Sequence, residues 1–382
     1  MMSFLSQIPG FGLLSYIIPF LAVLTVVVFF HELGHFLVAR WNGVKVDAFS
    51  VGFGPELFGR TDRLGTRWKL AAIPLGGYVK FHGDADGAST PDFEKNANMG
   101  AQERSYSFMH KRVGQRAAIV AAGPIANFIL AIAIFAVIFM TLGRPVADPV
   151  VSGVQALSPA AEAGFEAGDI IRSIDGTLIR SFTDVPRIVA PNAGRALVFA
   201  VERQGREMLL TVTPRLEQRT DQFGNKQAIG FVGLSNDSKA SNFRFEKLGL
   251  VQAVPAAIGE TWFYIASTMA YLGDIVTGYQ SADQLAGPVG IAKALGDVAT
   301  LGVGALIRTT AVLSVSIGLL NLFPIPVLDG GHLVFYAIEA LRGRPLSVRA
   351  QEMGFRVGMA IVLMLMVFAT WNDITRQLLN AG

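Results

Sequence analysis

No cysteine occurs anywhere in the chain, which excludes disulfides, thiolate zinc sites, cysteine nucleophiles and iron–sulfur clusters together. Any metal must be held by His, Asp or Glu. Charge is scarce as well: Asp, Glu, Lys and Arg make up 16% of the 382 residues against 52% hydrophobic, and mean hydropathy is +0.45. Soluble domains carry about a quarter charged residues, so this balance belongs to a chain built for lipid. A net charge of +3 gives no footing for nucleic acid.

What remains is arranged in long apolar runs. Four can cross the ~30 Å hydrocarbon core of a bilayer: residues 13–38, 117–142, about 309–340 and 357–371. The first is not expected to be a cleavable leader, because no basic stretch precedes it and it runs on into His31, Glu32 and His35. Residues 40–116 contain twelve Lys and Arg, and Arg342, Arg344 and Arg349 sit between the third and fourth runs, whereas the first sixteen residues have none. Basic loops stay in the cytoplasm, so both termini and residues 143–309 are expected on the far side, the periplasm of a bacterial inner membrane. Residues 255–279 are apolar but include Glu260 and Asp274, and read as an interfacial helix. A fifth span there would carry Asp329 to the face opposite His31.

The exported segment contains Ser158-Pro-Ala-Ala-Glu-Ala-Gly, a Gly168-Asp turn and Asp175-Gly, then Leu197, Phe199 and Val201 alternating into a turn at Gln204-Gly205 and back through Met208, Leu210 and Val212. This is the pattern of a small half-buried β domain. Over residues 148–215 it resembles a bacterial PDZ domain, which implies binding of an extended peptide or a free C-terminus as an added strand.

His31-Glu-Leu-Gly-His35 is an H-E-x-x-H pattern, and on a helix its imidazoles lie about 40° apart, one turn from each other, so both can meet one metal. His31 falls ~13 Å inward from Arg40, inside the hydrocarbon. An ionised carboxylate there costs ~2.5–3.5 kcal/mol, which metal ligation offsets with ~10–16 kcal/mol. A catalytic zinc needs a third protein ligand. Residues 321–332, Asn-Leu-Phe-Pro-Ile-Pro-Val-Leu-Asp-Gly-Gly-His, interrupt the third run with two prolines and adjacent glycines, and Asp329 sits at that break. Asp329 is preferred to His332, because two neutral imidazoles, one carboxylate and a hydroxide leave zinc formally neutral. Glu32 is then the proton-transfer residue, and Asn321 either donates to the oxyanion or caps the break beside Pro324.

These motifs, with the exported β insert, resemble the site-2 protease family of intramembrane zinc metalloproteases, in its bacterial RseP type. The resemblance implies a polytopic α-helical membrane protein with four transmembrane helices, a membrane-associated β-hairpin on the cytoplasmic side and one inserted PDZ-like α+β domain. It implies Zn2+ on His31, His35 and Asp329, with Glu32 and Asn321 catalytic. Ala122-Gly-Pro-Ile-Ala-Asn127 is similar to the family's Gly-x-x-x-Asn element, and Arg67 to Lys80 to its substrate-holding hairpin. Gly76, Gly77, Tyr78, Gly123, Asn127 and Pro324 are thereby expected to border the substrate. The implied partners are the lipid bilayer and single-span membrane proteins, such as anti-sigma factors or signal-peptide remnants. The expected division is 1–147, 148–215, 216–308 and 309–382, with room for one PDZ-like domain where some relatives carry two. An ion transporter using the same ligands, or an inactive PDZ scaffold, are the alternatives.

Overall fold

The computed structural model describes residues 11–84, 98–220, 226–236, 244–278, 282 and 285–381. Along the chain run α1 (Phe11–Trp41), β1 (Val46–Thr61), β2 (Arg67–Phe81), α2 (Ala101–Tyr106) and α3 (Val113–Thr141). Next come β3 (Arg144–Val146), β4 (Gly153–Val154), α4 (Pro159–Glu162), β5 (Ile170–Ile174), β6 (Thr177–Leu178), α5 (Asp184–Val189), β7 (Leu197–Arg203) and β8 (Arg206–Val212). The remainder is β9 (Arg215–Thr220), β10 (Lys226–Phe231), β11 (Leu234–Ser235), β12 (Arg244–Glu246), α6 (Leu250–Val276), α7 (Pro288–Thr300), α8 (Val303–Asn321), α9 (Asp329–Arg342) and α10 (Val348–Ala381). The chain folds as two compact units, one built on residues up to Phe135 with 257–265 and 283–376, the other on 136–256 with 266–282.

Four helices among the described residues are long and apolar enough to cross a membrane: 14–41, 113–141, 303–321 and 348–375. The third ends earlier than its apolar run suggested, at Asn321 and not near Ala340. Pro324 and Pro326 lack the N–H that would continue the ladder, and the chain closes only short turns before α9 restarts at Asp329. A Cβ on Gly330 or Gly331 would run into the carbonyls of Leu322, Phe323 and Ile325, so the glycines let α9 fold back on the break. The apolar segment after residue 250 is helical, as α6, and falls short of a span.

The hairpin expected within residues 67–80 does not form on itself: residues 67–81 are one strand, β2, whose two ends pair with β1 and not with each other, because residues 46–51 lie between them and take the backbone hydrogen bonds of both. Residues 46–51 pair with 77–81 on one side and with 67–70 on the other, and 56–61 pair with 67–71. Phe49 and Trp68 stack at 4.5 Å and join Phe36, Val44, Val46, Val79 and Phe81 in a core that fixes the sheet on α1 and α3.

The second unit is centred on a four-stranded sheet of order β6-β5-β7-β8. Leu197, Phe199 and Val201 all point into its core, as their alternation requires, with Ile171, Ile174, Val185 and Val212. The β core runs on past Arg215, where the sequence suggested its end: β9 and β10 form a hairpin, Val232 joins the core, and β11 pairs with β4.

Candidate metal centre

Three donors from two distant segments converge in the first unit. α1 presents His31 and His35 with Nε2 atoms 3.2 Å apart, and the start of α9 presents Asp329, whose Oδ2 lies 3.1 Å from His31 Nε2 and Oδ1 3.6 Å from His35 Nε2. Among the described residues this is the group of His and carboxylate side chains whose ligand atoms all lie within 4.8 Å of one another. Tetrahedral zinc with ligands at ~2.1 Å places donor atoms about 3.4 Å apart, so the spacing is that of a coordination shell. The donor set fits as well. Asp329 Oδ2 is buried without a hydrogen bond despite its nearness to His31, an arrangement that costs energy unless a cation shares it.

Backbone packing sets the imidazoles. His35 Nδ1 donates to the Ile119 carbonyl at 2.9 Å, which keeps the proton on Nδ1, so that in the neutral ring the Nε2 lone pair faces the other donors. The approach of α1 to α3 depends on two glycines. A Cβ on Gly34 would meet the Ala122 carbonyl and the Ala126 methyl, and one on Gly123 would strike both imidazoles. Arg116 at the start of α3 ion-pairs with Glu339 and lies 4.9 Å over the Tyr336 ring, tying α9 to α3.

A cavity of about 220 Å³ opens beside the donors, lined by His31, Glu32, His35, Gly77, Tyr78, Val79, Val120, Asn321, Asp329 and His332 among others. Glu32 therefore shares a wall with the three converging donors and with Val79 of β2. Gly77 is constrained there, because a Cβ would meet the Ser50 carbonyl at 2.7 Å and Glu32 Cγ at 3.3 Å.

Of the residues expected to border a substrate, Gly77 and Tyr78 line this cavity and the other four lie apart from it. Gly76 turns toward the Phe53 ring, Gly123 backs the imidazoles, Pro324 sits in the helix break, and Asn127 is fully buried with its amide 3.2 Å from His31 Nδ1. His332 borders the cavity, but its ring packs 5.3 Å from Phe355 and it is outside the converging donor group. Sequence reasoning missed the Ile119 carbonyl, which no side-chain pattern can announce. It also missed Val120, whose carbonyl loses its helical partner because Pro124 has no N–H.

The peptidase family M50 profile matches residues 19–365. A zinc metalloprotease of Agrobacterium fabrum is 54% identical over 95% of this chain and 96% of its own. The metalloprotease MmpA of Caulobacter vibrioides is 44% identical over 96% of each chain. The regulator of sigma-E protease RseP of Escherichia coli is 32% identical over 94% of this chain and 98% of its own. Among solved structures, the PDZ domain of an SdrC-like protein from Listeria monocytogenes aligns with 24% of this chain and 90% of its own, at 20% identity and a TM-score of 0.19, too weak to bear on the fold. Family membership sets aside the transporter and scaffold alternatives. The chain belongs to peptidase family M50, the site-2 proteases, and is an intramembrane zinc metalloendopeptidase of the bacterial inner membrane.

Proposed function

We propose that His31, His35 and Asp329 hold the zinc, that Glu32 moves the proton and that Asn321 faces the substrate carbonyl. The observation that supports this most directly is the convergence of three donor atoms with Glu32 on the same cavity wall. Zinc bound there supplies Lewis acidity, which acidifies water and polarises a scissile carbonyl. Glu32 accepts the proton of the attacking water and returns it to the leaving amine. Asn321, the last residue of α8, borders the cavity with an amide able to donate to the developing oxyanion.

The substrates are membrane proteins, and we infer the single-span class, entering as an extended strand. A helical peptide bond is shielded by its own hydrogen bonds and must be unwound before attack. Residues 77–81 pair with β1 along one side and lie beside Glu32, so a substrate strand added at their other edge would bring its backbone to the site. The basic loops favour a site near the cytoplasmic face, with both termini and the β unit periplasmic; residues 1–10 lie outside the described residues. The β unit would recruit a free C-terminus or extended peptide in the PDZ manner.

The test is cleavage of a single-span substrate by the purified protein with zinc in detergent. Glu32→Gln is expected to lower the rate at least ~10²–10⁴-fold while metal analysis finds the zinc retained. A Glu32→Gln protein cutting at the wild-type rate would remove the assigned base.

A further inference from the structure

His31 lacks the backbone carbonyl that fixes His35, and what stands in that place is Asn127. Its side-chain amide lies 3.2 Å from His31 Nδ1, on the side of the ring away from Asp329. Asn127 is 0% exposed and outside the cavity lining, so it meets neither solvent nor a peptide in the cavity. As placed, its Nδ2 faces the ring and its Oδ1 is buried with no hydrogen-bond partner. That orientation would leave Nδ1 without a proton and put the proton on Nε2, between His35 Nε2 and Asp329 Oδ2, where a metal ligand must offer a lone pair. The oxygen and nitrogen of an amide exchange places by a half-turn, and the hydrogen-bond network decides between them. With Oδ1 toward the ring, the orphaned acceptor receives Nδ1–H and the Nε2 lone pair is released toward the other donors.

Resting on the zinc reading above, we infer that Asn127 is a positioning residue: its side-chain carbonyl accepts from His31 Nδ1–H and holds the metal-binding tautomer. α8 fixes Asn127 in turn. Ser314 Oγ donates to the Asn127 backbone carbonyl at 2.8 Å, and a Cβ on Gly318 would come within 3.1 Å of Asn127 Cβ. The helix that leads to the Asp329 ligand thus also seats the group that orients the His31 ligand. One imidazole is oriented by a backbone carbonyl of α3, the other by a side chain of the same helix two turns on.

The experiment measures zinc affinity of the full chain in detergent by competition with a chromogenic chelator, and the visible spectrum of the cobalt-substituted protein. Asn127→Leu keeps the volume and loses the acceptor; it is expected to bind zinc ~10–100-fold more weakly and to change the cobalt bands. Asn127→Asp restores an acceptor and is expected to recover most of the affinity. If the leucine variant does not fold, Asn127→Ala, which cannot clash, is expected to give the same loss. Wild-type affinity in the leucine or alanine variant would overturn the inference and leave the zinc site standing. Only an unsubstituted protein that binds no zinc would overturn the zinc reading, and this inference with it.

Discussion

Two aspartates, one in each unit, sit in opposite surroundings, Asp169 fully buried and Asp329 half-buried with its Oδ2 out of reach of solvent. In the β unit Asp169 accepts from Arg203 Nε at 2.7 Å and Nη2 at 2.8 Å, and from the Glu166 amide at 2.9 Å. Burial alone would raise its carboxyl, but the Arg203 hydrogen bonds and charge, with the Glu166 amide, hold it below the usual carboxylate range. In the membrane unit Asp329 faces two imidazoles and, among the described residues, no Lys or Arg, and its Oδ2 accepts no hydrogen bond. A satisfied buried carboxylate stabilises its surroundings, whereas an unsatisfied one marks a place where something must bind.

The largest effect should come from deleting the unsatisfied member. Asp329→Ala, or His35→Ala, should reduce the zinc content from one per chain to none by metal analysis, with helix content unchanged by circular dichroism. Retained stoichiometric zinc would equate the two aspartates. Deleting the satisfied member should do the reverse: Asp169→Ala removes the acceptor of Arg203 Nε and of the Glu166 amide, leaving Arg203 with Glu166 and the Gly164 carbonyl, and should destabilise the β unit by about 1–3 kcal/mol, seen as early proteolysis within residues 144–236, while zinc content holds. Loss of zinc from that variant would mean that the stability of the β unit and the integrity of the metal centre are coupled.

A smaller effect is expected at the helix contact. Gly123→Ala should cost about 1–3 kcal/mol of stability through overpacking, but weaken zinc binding disproportionately because the displaced atoms belong to the ligands. Chelator competition and a thermal melt on the same sample separate the two. The smallest effect is a pH dependence. Because the folded-state value of Asp169 is depressed, its contribution to β-unit stability is complete above the unfolded value and disappears as pH falls through the folded one. Asp169→Asn should therefore flatten the acid limb of the stability profile measured by proteolysis, and an unchanged limb would assign that dependence to other groups.

Much of the metal centre was legible because its signals are local. His31 and His35 are one helical turn apart by spacing alone, and the prolines and glycines around Asp329 announce a break wherever they occur. The end of the third span was misjudged because Leu333, Val334 and Phe335 of α9 keep the sequence apolar after the spanning helix has stopped. Hydropathy reads the environment of residues and not the continuity of hydrogen bonds. The β unit was cut short for a different reason: Val232 reaches the core only after the β9–β10 excursion, a closure over distance that strand alternation does not encode. Asn127 was expected at the substrate, and its place behind His31 depends on how α3 rotates against α1 and α8, which its own helix sequence leaves open.

The close seam at Gly34 and Gly123 has a consequence for how the enzyme selects. With α3 pressed against one flank of the imidazoles, the cavity among the described residues is bordered on the other by Gly77, Tyr78 and residues of the 321–329 break, the side on which a peptide would be expected to arrive. Discrimination can then rest on pliability: segments that straighten cheaply reach the wall where they would be cut, and stiff helices pass by whatever their side chains.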